Sequence, residues 1–400
     1  MGSPSAGSAV RTRYEGPELL TASPSSLYGV DIREGPASAT TGPARPLLTS
    51  GHSMNTAAAQ DPFAAALAQA ASPAAYLDAA HRAVVHAATL APSVHNSQPW
   101  RFTQDGDGVD LYADDARRLP VLDPDGRLVH VSCGAALLHA QVAARALGFL
   151  VEQQLLPDPA DPVHLARLRL TAGAPPSSQD LALAHAILLR HTHRDVFEDR
   201  PLPPELLDRL RRAAEEHDVA LAVVQGDHLT ELEVLLAWAD ELEEADPAYR
   251  AETAASIRMA PSGDGIPAAA LADDPERGSS LRLRDFALTG PRPAGGEPPA
   301  AEKPDVVVLV TDGDSPLSWL RAGQALGAVL LHAADEGVMG QPLAQATDFP
   351  AARVRLRQAL GLIGMPQMAL RLGYATGTSP TPRRALDDVL SDAADGGPGA

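Results

Sequence analysis

A dense run of polar side chains lies between residues 92 and 98, where neither a helix nor a strand would require it. Proline, serine, histidine, asparagine and glutamine alternate there in the string Pro92, Ser93, Val94, His95, Asn96, Ser97 and Gln98. Hydroxyl, imidazole and amide groups both donate and accept hydrogen bonds. The residue types therefore predict a turn that binds a polar ligand. An ordinary Ser/Asn-rich connection without a ligand is the alternative.

The elements on either side of this turn follow from periodicity. Apolar residues recur at helical spacing from Tyr76 to Leu90, and Pro92 ends that helix because it lacks a donor and restricts the residue before it. A strand begins at Trp100, and a Gly-Asp turn leads to a second strand from Val109 to Tyr112. We expect a helix, the polar turn and a hairpin in that order.

Composition limits the class of protein. The 400 residues are 45% hydrophobic, which is enough for a sizeable core, and the formal net charge of −19 argues against nucleic acid and anionic membrane surfaces as partners. A single cysteine, Cys133, excludes an internal disulfide framework and fits a reducing cytoplasm, and we read it as a packing residue. No apolar run reaches the ~20 residues of a membrane span, and the start shows no signal pattern. We expect a cytoplasmic protein.

The first part of the sequence differs from the rest. Residues 1–60 are rich in Gly, Ser, Pro, Ala and Thr without periodicity, so we expect a disordered N-terminal extension, with Met54 as a candidate translation start. From residue 74 onward helices and strands alternate. We expect further strands at Val163–Leu170, Val219–Val224 and Val306–Val310 and helices at Gln179–Leu189 and 227–245.

Two long Ala/Leu-rich helices repeat one pattern. Gly134 and Gly148 are 14 positions apart, and so are Gly323 and Gly337. Together with the two helix-then-strand openings near residues 80 and 205, the repeat predicts two related halves. We expect these two helices to be buried against each other.

The string APSVHNSQPWRF resembles the flavin-contacting segment of the nitroreductase superfamily. The similarity extends from about residue 74 to residue 390, and its most specific match is the Acg-like group, which has two nitroreductase-like halves in one polypeptide. The resemblance implies an α+β fold in which each half is a mostly antiparallel sheet flanked by helices. It places the halves at residues 74–175 and 179–390 and implies a monomer that mimics a dimer.

The resemblance also implies an FMN site between the halves. It assigns Pro92, Ser93, Val94, His95, Asn96 and Gln98 to the isoalloxazine ring. The string RHTHR matches the family's Arg-x-Ser-x-Arg phosphate grip, with Thr192 in place of serine between Arg190 and Arg194. Guanidinium groups suit this role because they bind oxyanions bidentately. A surface arginine pair at a helix end is the alternative, and one complete flavin site is expected rather than two.

The last part of the chain resembles the family's closing segment. Gly340 and Gln341 are the candidates to pass the reactive edge of the flavin, where glycine allows close approach. Arg383 and Arg384 match a late basic pair that would close on the phosphate. As an exposed tail pair they would have no such role. His191 and His193 are too weak a signal for a metal site, and none is predicted.

The implied activity is that of an FMN-dependent NAD(P)H oxidoreductase that reduces nitro- or quinone-like small molecules by hydride transfer. No catalytic side chain is nominated, because FMN carries the chemistry. The alternative is an FMN-binding, sequestering or sensing protein with little turnover. The motive for this alternative is an insertion at residues 227–304, which is rich in Gly and Pro in its second part. The insertion is a candidate lid over the flavin.

Overall fold

The computed structural model describes residues 72–106, 108–260, 262–271, 281, 284, 286, 304–377 and 380–392. The predicted extension at residues 1–60, Met54 included, lies outside the described residues, and so does much of the second part of the predicted insertion. The described chain has an α+β fold with mostly antiparallel sheets, so the predicted fold class is confirmed.

Helices account for most of the regular structure. They are α1 (Pro73–Thr89), α2 (Arg127–Ala146), α3 (Ser178–Leu189), α4 (Pro204–Glu215), α5 (Asp227–Ala245), α6 (Pro247–Ala255), α7 (Pro316–Asp335), α8 (Gln345–Asp348) and α9 (Pro350–Ala359). Capping signals in the sequence fix several of their starts. Ser72 caps α1, and Ser177 forms a capping box with Asp180 at the start of α3. None of the described helices is long and apolar enough to cross a membrane.

The strands form two main sheets and one small ribbon. They are β1 (Trp100–Asp105), β2 (Gly108–Ala113), β3 (Phe149–Leu155), β4 (His164–Ala172), β5 (Ala220–Val224), β6 (Ile257–Arg258), β7 (Ile266–Pro267), β8 (Asp305–Thr311), β9 (Val338–Pro342), β10 (Met365–Tyr374) and β11 (Leu390–Asp392). The first sheet has the order β11-β1-β2-β4-β3, and the second has the order β5-β8-β10-β9. The expected β1–β2 hairpin is present, with Phe102 opposite Leu111.

Strand β8 shows how the second sheet is buried. Its alternate residues Val307 and Leu309 pack into one apolar cluster, with α4 and α7, while Val306 and Val308 pack into another, with α5 and α9. Because side chains alternate across a strand, this run is covered on both faces. The run of β-branched residues that predicted a buried strand reflects this two-sided burial.

Helices α2 and α7 cross at the centre of the described chain, as expected for the two Ala/Leu-rich helices. A Cβ built on Gly134 would lie 2.1 Å from the carbonyl oxygen of Leu320, and one built on Gly323 would lie 2.1 Å from that of Val131. The helix backbones therefore touch at the two glycines, and the predicted burial of this pair is confirmed. The boundaries of the two halves, 74–175 and 179–390, stay a prediction.

Residues 380–392, here called the closing arm, return to the first sheet. Within the arm β11 pairs in parallel with β1, so that Leu390 lies opposite Phe102. The backbone N–H of Phe102 donates to the carbonyl oxygen of Val389 at 2.7 Å. This pairing places the arm beside the turn that precedes β1.

Candidate functional site

The turn at residues 92–98 has an unusual backbone. His95, Asn96 and Gln98 adopt positive φ angles of 46°, 54° and 50°. Left-handed backbone costs a non-glycine residue about 1 kcal/mol or more, and strain of this kind concentrates at functional sites. Side chains hold the turn in place, because the hydroxyl of Ser93 accepts from the Gln98 N–H at 3.0 Å and that of Ser132 accepts from the Val94 N–H at 3.2 Å.

The amides of Asn96 and Gln98 are bonded to protein atoms. Asn96 donates to the carbonyl oxygens of Gly265 at 2.8 Å and Pro382 at 3.0 Å. Gln98 donates to the carbonyl oxygen of Gly263 at 2.8 Å and accepts from the Arg384 N–H at 2.9 Å. Both amides thus join the turn to residues 263–265 and to the closing arm.

His95 is buried and neutral. Its Nε2 accepts from Arg284 at 3.1 Å, which leaves the proton on Nδ1, 3.3 Å from the hydroxyl of Ser256. Burial lowers the pKa of His95 well below its usual value, and the positive charges of Arg284 and Arg194 lower it further. Both ring nitrogens are already engaged, so His95 has no proton to offer to a ligand.

Three arginines gather beside the turn. Arg190 is buried, Arg194 and Arg383 are half-buried, and the charges of Arg383 and Arg194 add to the burial that lowers the pKa of Arg190 to about 9. Burial lowers the pKa of Arg194 and of Arg383 to about 10. No carboxylate lies among the causes of these three shifts. The guanidiniums stay protonated at neutral pH and repel one another.

Some N–H groups of this arginine cluster are unsatisfied. Nε of Arg190, Nη1 of Arg194 and Nε of Arg383 are buried and have no hydrogen-bond partner among the described residues. Other N–H groups of Arg190 and Arg383 donate to the carbonyl oxygen of Leu90, just after α1, at 3.2 Å each. A helix C-terminus carries partial negative charge and so offsets part of the repulsion. The cluster still has the unpaired donors and the positive charge of an anion site.

The RHTHR string runs alongside β9. Thr192 forms an isolated β-bridge with Gly340, and the His193 N–H donates to the carbonyl oxygen of Gly340 at 3.2 Å. A Cβ on Gly340 would lie 2.5 Å from Leu330 Cδ2. Glycine therefore packs closely against that leucine, and a larger residue at position 340 would displace the Leu330 side chain. The next residue, Gln341, accepts from Arg371 Nε at 2.6 Å and faces the cavity.

A cavity lies between the turn, the RHTHR string and β9. It has an empty volume of about 750 Å³, including open space at its mouth. The predicted site residues in its lining are Pro92, Ser93, Val94, His95, Thr192, Arg194 and Gln341. The residues that sequence reasoning did not identify are Leu128, Val131, Ser132, Ile266, Arg284, Phe286, Leu326, Pro342, Ala344, Gln345 and Met368. The structure thus brings most of the predicted residues to one place.

Arg384 is the predicted site residue that lies apart from the arginine cluster. Its guanidinium donates to the carbonyl oxygens of Gln98 and Trp100 at 3.2 Å each, and to that of Asp388 at 2.6 Å. Arg384 therefore fastens the closing arm to β1. Its neighbour Arg383 lies in the cluster. The two residues of the late basic pair therefore have different positions: Arg384 bonds to β1 and to the turn, and Arg383 belongs to the cluster.

Arg284 and Phe286 come from the predicted insertion and reach into the cavity. The side chain of Arg284 is 7% exposed and forms ion pairs with Glu243 at 2.7 Å and Asp348 at 2.6 Å. Phe286 packs edge-on against His95, with 5.4 Å between ring centroids, and lies 6.0 Å from the guanidinium carbon of Arg194. This part of the insertion contacts both the turn and the arginine cluster.

Cys133 and a possible metal site were also considered from the sequence. Cys133 is buried, its Sγ donates to the carbonyl oxygen of Pro99 at 3.3 Å, and burial raises the pKa of its thiol, all of which fit a packing role. Among the described residues, no group of three or more His, Cys, Asp or Glu side chains could hold a metal ion.

Comparison with known proteins found relatives over most of the chain. No protein-family model matches it. A Mycobacterium tuberculosis H37Rv protein named "Putative NAD(P)H nitroreductase acg" is 32% identical over 316 residues, which cover 77% of this chain and 94% of the relative. A second protein of that strain, also named as an NAD(P)H nitroreductase, is 33% identical over 77% of this chain and 90% of its own length.

A solved structure adds a distant likeness. The FMN-dependent nitroreductase NfnB from Mycobacterium smegmatis, in complex with NADPH, is 17% identical, with 53% of this chain and 97% of that chain covered at a TM-score of 0.34.

Proposed function

This chain belongs to the nitroreductase superfamily, in its Acg-like group, and on that premise we propose that it is an FMN-dependent NAD(P)H oxidoreductase. The observation that carries the proposal is the arginine cluster of Arg190, Arg194 and Arg383 beside the strained turn at residues 92–98. A buried cluster of like charges is costly unless an anion binds to it. The turn and the cluster together suit a ligand with a phosphate at one end and a polar ring system at the other.

The phosphate of FMN fits the cluster chemically. A phosphate monoester carries between one and two negative charges at neutral pH and offers three acceptor oxygens. Three buried N–H groups, on Arg190, Arg194 and Arg383, have no partner among the described residues. Phosphate oxygens would satisfy these donors and offset the repulsion between the guanidiniums. The hydroxyl of Thr192 is the fourth donor that we assign to this end.

The rest of the cavity fits a flat aromatic ring. Leu128, Val131, Leu326 and Met368 supply apolar walls, and the turn supplies a polar edge. These side chains exclude water and orient the ring. When bound, FMN supplies hydride acceptance and donation, so the protein itself needs no redox group. Since both nitrogens of His95 are engaged, we nominate no proton-donating side chain.

The acceptor that we propose is a small nitro- or quinone-like molecule, with NADH or NADPH as donor. Both would use the same cavity in turn, because one flavin ring would serve both. Ping-pong kinetics follow from that arrangement.

Anaerobic flavin reduction tests the proposal. Purified protein reconstituted with FMN should be yellow and should lose its absorbance near 450 nm when NADH or NADPH is added, roughly as fast as ordinary enzymes turn over, about 1–1000 per second. Arg194→Ala should weaken FMN binding at least about tenfold, equivalent to ~1.4 kcal/mol. The exposed Arg101, replaced by alanine, is the matched control. Unchanged affinity in the Arg194 variant would refute the phosphate assignment.

A second candidate function is FMN sequestration with little turnover. The specific observation in its favour is that Arg284 and Phe286, both from the insertion, line the cavity and contact His95. The same experiment separates the two functions when residues 272–303 are replaced by a short linker. Reduction that becomes faster in the shortened protein supports a lid. A flavin that neither nucleotide reduces in either form favours sequestration over oxidoreductase activity.

A further inference from the structure

The side chain of Asn96 is fully engaged by protein atoms. It is buried, with 5% of its surface exposed. Its two N–H groups donate to the carbonyl oxygens of Gly265 and Pro382, at 2.8 and 3.0 Å, and its Oδ1 accepts from Nη1 of Arg383 at 3.1 Å. An amide has two donors. Asn96 therefore has no N–H left for a flavin ring, although the family resemblance places it there.

We infer that Asn96 is a positioning residue that holds Arg383 in the arginine cluster, and that it thereby sets the preference for phosphorylated over unphosphorylated flavin. The inference rests on the proposed function, because it assumes that the cluster binds the FMN phosphate. Asn96 would act on the phosphate through Arg383 without touching the flavin.

Arg383 needs such a restraint. The positive charge of Arg194 repels it, and its side chain is only partly buried. Its Nη2 donates to the carbonyl oxygens of Leu90 and Ala91 at 3.2 and 3.3 Å, which holds one side of the guanidinium. On the other side, Nη1 donates to the hydroxyl of Thr381 at 2.7 Å and to the carbonyl oxygens of Thr381 and Pro382 at 3.0 Å each, all within the closing arm. Asn96 Oδ1, at 3.1 Å, is the acceptor of Nη1 that lies outside the arm, so it ties this side of the guanidinium to the turn. Because these contacts leave Nε without a partner, the restrained guanidinium keeps one donor for a ligand.

The side chain at position 96 is an amide, which carries no charge that would offset the positive charge of Arg383. A carboxylate at position 96 would also accept from Arg383, but its negative charge would cancel part of the attraction for phosphate. An amide oxygen fixes the guanidinium and leaves its charge intact. Asparagine also tolerates the left-handed backbone, with φ of 54°, better than most residues.

Binding of FMN and riboflavin to four proteins tests the inference. They are the wild type, Asn96→Gly, Arg383→Ala and the double variant. Glycine at position 96 accepts the positive φ, so the variant removes the side chain without adding backbone strain. We expect Asn96→Gly to weaken FMN binding about tenfold, with riboflavin binding changed less than about twofold, since riboflavin lacks the phosphate. The double variant should bind FMN no more weakly than Arg383→Ala alone.

Riboflavin binding shows that each variant folds with an intact ring pocket. Arg82→Ala is the matched control, because Arg82 pairs with Asp387 of the same closing arm at 2.7 Å but has 43% of its side-chain surface exposed. It should leave the FMN-to-riboflavin ratio unchanged.

Three outcomes overturn the inference. An equal loss of FMN and riboflavin in Asn96→Gly would mean that Asn96 serves the ring or the fold. Additive losses in the double variant would mean that it acts independently of Arg383. A wild type that binds neither flavin refutes the proposed function itself, whereas a wild type that prefers FMN with an unchanged preference in Asn96→Gly refutes the inference alone.

Discussion

At the scale of single residues, His139 connects the core to the arginine cluster. It lies on α2, fully buried, with Nδ1 3.3 Å from the carbonyl oxygen of Ala87. Burial lowers the pKa of His139 well below its usual value, and the charges of Arg190 and Arg383 lower it further, against a smaller opposing effect of the Ala87 carbonyl. The folded protein therefore holds His139 neutral at pH values where the unfolded chain protonates it.

This histidine should make folding stability depend on pH. Above about pH 6.5, histidine is neutral in both states and adds no pH dependence. Below it the unfolded state binds more protons than the folded state, so stability falls as pH falls, by up to about 1.4 kcal/mol per unit for one group. Urea unfolding of His139→Asn between pH 7 and pH 5 should show a smaller slope than the wild type. The exposed His185→Asn is the control. Equal slopes in His139→Asn and wild type would contradict the prediction.

Individual site residues could be predicted where the signal is local. The turn at 92–98 and the RHTHR string each consist of consecutive residues, and six of these residues line one cavity. Arg284, Phe286 and Ser132 could not be found, because their position depends on packing between elements far apart in sequence. The sequence also could not predict the direction in which a side chain points. Arg383 and Arg384 are neighbours, yet only Arg383 lies in the cluster. The roles of all these residues toward FMN stay predictions.

At the scale of elements, helices α2 and α7 approach each other closely at the point where they cross. Their contact consists of backbone against backbone at Gly134 and Gly323. Backbone atoms cannot rotate out of the way as a side chain can, so the crossing tolerates no added atom.

Alanine at position 323 should therefore destabilise the fold. Its Cβ would lie 2.1 Å from the carbonyl oxygen of Val131, and we expect a loss of at least about 2 kcal/mol in the free energy of unfolding, by urea denaturation. Gly327→Ala in the same helix is the matched control. There the Cβ would meet the flexible end of Leu138 at 2.8 Å, and the better helix propensity of alanine offsets about 1 kcal/mol. Equal stability of the two variants would contradict backbone contact at the crossing.

Several elements with strong periodicity were predictable, whereas the two edge strands of the first sheet were not. The acidic helix at 227–245 and the buried strand at Val306–Val310 are where the sequence placed them. Strand β3 was missed because it lies at the edge of its sheet and mostly faces solvent, which leaves little apolar alternation. Strand β11 spans three residues, and its partner β1 is distant in sequence. No local sequence pattern therefore predicts β11.

At the scale of the whole molecule, the two halves that we propose are not equivalent. The first half has the long polar turn between α1 and β1. In the second, only residues 216–219 separate α4 from β5, and Asp218 there pairs with Arg321 of α7 at 3.0 Å. That short connection lacks the side-chain amides of the 92–98 turn, and it has one non-glycine residue with positive φ, Asp218 at 58°, where the turn has three.

We therefore expect one FMN per chain. Protein reconstituted with excess FMN and then desalted should retain about one flavin per polypeptide, measured by absorbance after denaturation. Arg321→Ala, which opens the ion pair at the second connection, should leave that ratio unchanged. A ratio near two would show that the second half also forms a complete site.

The pairing of β1 with the closing arm also has a consequence for biosynthesis. Phe102 and its partner Leu390 are 288 positions apart, which a ribosome needs roughly 15–60 s to translate. During that interval the edge of β1 is unpaired and Arg383 does not yet exist. The nascent chain can form the bonds of its polar turn to Ser93 and Ser132 early, but it cannot form the bonds to the closing arm or assemble the complete arginine cluster. Flavin retention would then distinguish polypeptides that include the closing arm from truncated polypeptides that end before it.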